Sequence, residues 1–139
     1  MKGTYSALMQ SKFFNPAFNS AIFDGPIRIY FAQFHESLAL KIYFTLQQQF
    51  SGELSRAKEL HKYLGRTVLI MLYPSSESFE HSFESKSFLS VDSLQEDTII
   101  GINGPFEDAK LDQVLAEALR AFQDWEKIPY EKPAPDAIL

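Results

Sequence analysis

Between Ile27 and Gln48 the apolar positions fall into two runs, Ile27 to Phe34 and Leu38 to Gln48, joined by Gln33-Phe34-His35-Glu36-Ser37. In the second run Leu38, Leu40, Ile42, Phe44 and Leu46 alternate with Ala39, Lys41, Tyr43, Thr45 and Gln47. A period of two places alternate side chains on opposite faces of a strand, so the pattern predicts an antiparallel hairpin with one buried face. Asp24-Gly25-Pro26 is a turn that opens the first strand.

The pattern then changes period. Leu54, Ala57, Leu60, His61 and Leu64 recur at helical spacing, with Ser51 as N-cap, Glu53 in the first turn and Gly65 as the stop. Thr67 to Tyr73 is continuously apolar, which suits a central strand buried on both faces. Phe79 and Phe83, one helical turn apart, predict a short helix over Glu77 to Lys86 within a serine-rich stretch. Phe88 to Val91 and Thr98 to Ile102 read as two short strands separated by a polar segment, Asp92 to Asp97. Pro105 occupies the first position of a final helix with Glu107 and Asp108 near its start. That helix carries the stripe Leu111, Val114, Leu115, Ala118, Phe122 and Trp125 and ends before Pro129.

The expected architecture is a single α/β (α+β) domain of order ββαβ(α)ββα. It has a mixed sheet of about five strands that opens with an antiparallel hairpin, and helices packed on the sheet. The domain spans 27–128, preceded by an aromatic-rich extension over 1–26 and followed by a loose tail over 129–139. The extension holds Leu8, Met9, Phe13, Phe14 and Phe18, too many apolar anchors for a disordered segment. Leu8 to Phe13 predicts a short amphipathic helix halted by Asn15-Pro16, packed on the domain or on a second copy of it.

Composition narrows the function more than it defines one. A chain of 139 residues suits one core. With 13 Phe against one Trp, that core is expected to be Phe-rich, since phenyl rings bury area without needing a hydrogen-bond partner. The net charge of −5, with basic residues spread along the chain, argues against nucleic acid and against an anionic membrane surface. There is no cysteine, which excludes disulfides, thiolate nucleophiles and cysteine-held zinc. A cytoplasmic location is expected, with no cofactor and no metal.

Candidate chemistry is sparse. Glu77, His81 and Glu84 share one helical face but lie opposite Phe79 and Phe83, the signature of a solvated face. His35 with Glu36 reads as an exposed polar turn, and His61 as a partly buried helix residue. The strand ending at Tyr73 runs into Pro74-Ser75-Ser76 at a helix start, where ligands favour α/β sheets. Ser75, Ser76 and His81 are therefore the candidate binding residues, although the glycines of a nucleophile elbow are missing. The element order resembles a thioredoxin-like topology, and without redox cysteines that resemblance implies a redox-inactive module. The reading is a non-catalytic regulatory or adaptor domain that binds a protein partner or a second copy of itself. The alternative is a small hydrolase-like enzyme with its site near Ser75, Ser76 and His81.

Overall fold

The computed structural model describes residues 4–84, 87–104 and 110–130. Along the chain run α1 (Thr4–Met9), β1 (Ser20–Asp24), β2 (Ile27–Phe31), a 3-10 turn (Gln33–His35), α2 (Glu36–Gln49) and α3 (Ser51–Leu64). They are followed by β3 (Val68–Tyr73), α4 (Ser76–Phe83), β4 (Leu89–Leu94), β5 (Asp97–Asn103) and α5 (Leu111–Glu126). Five strands form one mixed sheet in the order β1-β2-β3-β5-β4. The three inner strands are parallel, and each edge strand is antiparallel to its neighbour. The single α+β domain with a five-stranded mixed sheet is as the sequence pattern predicts.

The opening hairpin exists, but its second strand is not where the pattern put it. Residues Leu38 to Gln48 form helix α2, and β2 pairs instead with β1, Ser20 opposite Phe31 and Asp24 opposite Ile27. The alternation is a superposition of two helical stripes. Ala39, Ile42 and Leu46 are buried at i, i+3 and i+7 and close the core. Leu40 and Phe44, one turn apart, form a second apolar stripe that points to solvent. Two stripes displaced by two residues mimic a period of two. The composition (Leu, Ala, Lys, Gln, Glu) favours the helix, and no β-branched run opposes it.

The sheet is covered on both faces. On one, Ile27, Ile29, Phe31, Val68, Ile70, Leu72, Ile100 and Ile102 meet the buried sides of α2, α3 and α5. On the other, Tyr30, Leu69, Met71, Tyr73 and Ile99 meet Phe79 of α4 together with Leu8, Phe13 and Phe18. The aromatic segment ahead of β1 is thus a layer of this domain. The Tyr73 hydroxyl donates to the Phe13 carbonyl, and Ser82 Oγ donates to the Lys12 carbonyl at 2.9 Å. The boundary expected at residue 26 falls in the turn of the β1–β2 hairpin, where Gly25 takes φ +58°.

Smaller differences have local causes. The first helix ends at Met9, because Ser11 Oγ takes the Leu8 carbonyl at 2.7 Å. Ser51 is the first residue of α3 and Phe50 occupies its cap position, leaving no side-chain cap. Gly65 ends α3 as expected, at φ +69°, with its N–H on the His61 carbonyl. The polar stretch Asp92 to Asp97 is mostly strand, and β4 turns into β5 at Gln95-Glu96. The expected roles of Ser85, Lys86, Pro105, Glu107, Asp108 and 131–139 lie outside the described residues.

Candidate functional site

The strand-end location predicted from sequence is a real concavity. A hollow of about 450 Å³ opens beyond the carboxyl ends of β3 and β5, lined by Pro74, Ser75, Ser76, Phe88, Asn103, Gly104 and Lys110. Ser75 is fixed by a reciprocal cap: its Oγ accepts from the Ser78 N–H at 3.1 Å, while Ser78 Oγ accepts from the Ser75 N–H at 3.3 Å. The Lys110 ammonium stands over the Phe88 ring, 4.8 Å from its centroid.

Of the three candidates, Ser75 and Ser76 come together at this hollow and His81 does not line it. His81 is exposed further along α4. Among the described lining residues no histidine or carboxylate stands by to take a proton from a serine hydroxyl. The hollow offers hydroxyls, an amide and an ammonium, groups that can hold a polar ligand. Sequence reasoning missed Asn103 and Lys110. Nothing local to Lys110 indicated its place.

Glu77, His81 and Glu84 are all exposed. Among the described residues no three acidic or histidine side chains gather as metal ligands. His61 is partly buried with Nδ1 at 2.9 Å from the Arg66 carbonyl. His35, read from sequence as an exposed turn residue, is buried at the end of the 3-10 turn, and its Nδ1 has no hydrogen-bond partner. The chain curls at Gln33–His35 to enter α2, and that curl tucks the imidazole inward.

Burial pushes the His35 pKa below its ordinary value, against a smaller raising effect from a backbone hydrogen bond at Leu72. The unfolded chain therefore takes up this proton at higher pH than the folded one, so stability is full above about pH 6.5 and falls as pH drops below it. Urea unfolding at pH 7.5 and pH 5 is expected to show a loss at the lower pH that His35→Gln reduces. An identical pH dependence in that variant would assign the loss to other groups.

A second feature is apolar. Six large hydrophobic side chains among the described residues are exposed, and four of them are Phe34 (70%), Phe23 (61%), Phe44 (47%) and Leu40 (37%). Phe23 is on β1, Phe34 stands beside the start of that strand, and Leu40 and Phe44 are on the outer side of α2. The Tyr43 hydroxyl of α2 donates to Asp24 Oδ2 at 2.7 Å, which sets that flank of the helix against β1. Leu40 and Phe44 follow Tyr43 round the helix by about 60° and 100°. Gln33, beside Phe34, is tied to the start of β1 by its N–H to Asn19 Oδ1 and by Ser20 Oγ to its Oε1, both at 2.9 Å. On the opposite face of the sheet, Phe18, Asn19, Ser20, Ala21, Phe23 and Tyr30 line a shallow hollow of about 420 Å³. Strand β1 itself is a sheet edge.

Two charged groups stiffen this flank. Asp24 also receives Lys58 Nζ at 3.2 Å, and Gln47 Nε2 donates to the Tyr43 hydroxyl at 2.8 Å. Partial burial, followed by the Asp24 carboxylate, raises the Tyr43 pKa. The phenol stays protonated and donating at neutral pH.

The chain matches no family model, no curated protein and no solved structure. No helix among the described residues is long and apolar enough to cross a membrane.

Proposed function

We propose that the protein is a non-catalytic regulatory or adaptor domain of the cytoplasm that works by binding a protein through the β1–α2 flank. One observation carries this reading. Helix α2 has a second apolar stripe, Leu40 and Phe44, that closes no core of its own, and Phe23 and Phe34 are exposed on and beside the edge strand β1. Apolar side chains gathered on one flank mark a surface that another molecule covers. The local pattern that defeats a simple reading of the sequence falls on the same residues, as functional positions often do. The strand-end hollow offers a weaker case for chemistry, since Ser75 is engaged as a helix cap.

The test compares wild type with Leu40→Glu/Phe44→Glu, both changes lying on exposed positions. Immobilised wild type is expected to retain a defined protein, identified by mass spectrometry and rebound in purified form, with affinity at least tenfold above that of the variant. Equal retention by the two would overturn the reading. So would a thermal shift with a metal, nucleotide or acyl ester that Ser75→Ala or His81→Ala abolishes, since that result belongs to the small enzyme.

A further inference from the structure

Which protein covers the flank is written into β1. We infer that its occupant is a second copy of this chain, paired antiparallel through β1, with Ile22 opposite the partner's Ile22. This rests on the binding reading above and names its partner.

The strand is self-complementary in that register. Reading outward from Ile22, Phe23 falls opposite the partner's Ala21, and Asp24 opposite the partner's Ser20. The large exposed ring of one copy thus meets the smallest side chain of the other. Ala21 lies beside Phe18 and Tyr30 in the hollow of about 420 Å³, so the partner's Phe23 has a prepared space on that face. Two-fold symmetry makes the exchange reciprocal. No like charges are opposed, because Asp24, the one charged residue of β1, faces a serine and is already paired with Lys58 in its own copy.

The opposite face agrees. An edge-to-edge pair about a two-fold axis normal to the sheet keeps both α2 helices on one side. Since Tyr43 of α2 reaches Asp24 of β1, the Tyr43 flank of each helix turns toward the axis, with Leu40 next round the helix. Exposed strand edges are ordinarily protected by lysine, proline or a bulge, and Ser20–Asp24 has neither lysine nor proline and pairs without a bulge. The other edge strand, β4, differs: its exposed positions include Asp92 and Ser93. Specific interfaces bury about 1,200–2,000 Å² in total, and a five-residue strand edge is a short seam, so the dimer is expected to be reversible and micromolar.

The cysteine-free chain allows a direct test of register. Residues directly opposite across antiparallel strands have Cα atoms about 4.5–5.5 Å apart, within disulfide reach, whereas diagonal neighbours stand about 7–8 Å apart and are not. Ala21→Cys mixed with Phe23→Cys is expected to form a covalent heterodimer at least tenfold faster than either protein alone. In sedimentation equilibrium, wild type is expected to dimerise with a Kd that Leu40→Glu weakens at least tenfold while the thermal midpoint of the dilute protein stays unchanged. A wild type that remains monomeric into the millimolar range overturns the inference, as does crosslinking of each variant with itself as fast as in the mixture. A monomer that nonetheless holds a foreign protein through Leu40 and Phe44 removes the second copy and keeps the binding domain.

Discussion

Removing residues 1–18 is expected to abolish the folded state. These residues look like an extension, but Leu8, Phe13 and Phe18 are buried against the sheet and supply most of the cover on one face. Full burial of a large apolar side chain contributes about 1.5–3 kcal/mol, so three of them account for roughly 5–9 kcal/mol. That is comparable to the entire stability of a typical domain, about 5–15 kcal/mol. The deletion also uncovers Leu69, Met71 and Phe79, and leaves the Tyr73 hydroxyl without the Phe13 carbonyl.

A graded version separates this from non-specific damage. Phe13→Ala is expected to cost about 3–5 kcal/mol. With a urea slope of about 2 kcal/mol per molar, the unfolding midpoint falls by roughly 2 M. Phe14→Ala removes a ring that is only partly buried, and its loss should be much smaller. A truncated protein with wild-type unfolding and a dispersed amide spectrum would show that the aromatic layer is dispensable.

How far the fold was legible follows from how many signals each segment carries. Val68 to Tyr73 is apolar or aromatic at every position, and the strand it forms is buried throughout between two parallel neighbours. The α5 stripe and the Gly65 stop were equally plain, because one face or one backbone angle decided each. Residues 38–48 failed because two apolar stripes occupied one helix, and only the structure separates the stripe that packs from the stripe that does not. Strand β1 escaped notice because it is five residues long and buries neither face fully, so Ala21, Ile22 and Phe23 stand together with no alternation to mark them. The strand-end hollow was anticipated at Ser75 and Ser76 from the end of an apolar strand, but its far wall comes from Asn103 and Lys110. Those residues arrive through the parallel pairing of β3 with β5, a long-range fact that no local pattern holds.

Gly101→Val is expected to be strongly destabilising, and to be relieved by a second change on α4. Gly101 sits between Met71 of β3 and Ser90 of β4. A Cβ built there would stand 2.2 Å from Cε2 and 2.4 Å from Cζ of Phe83. Backbone angle is no obstacle, so the constraint is the ring. Phe83 cannot simply swing aside, because Phe13, Phe79 and Tyr73 surround it with ring centroids at 5.2, 5.1 and 5.6 Å. Overpacking of this kind costs about 1–3 kcal/mol, and valine adds two methyl groups beyond the Cβ, which places it at or above the upper end. The strand preference of valine over glycine recovers only part of that. Phe83→Ala alone loses packing, yet combined with Gly101→Val it frees the volume that the new side chain needs. The double variant is therefore expected to be more stable than the sum of the two losses by at least about 1 kcal/mol, the coupling typical of residues in contact. Strict additivity in urea unfolding would mean that Phe83 does not rest on Gly101, and α4 would then be held to the sheet by Phe79 and Ser82 alone.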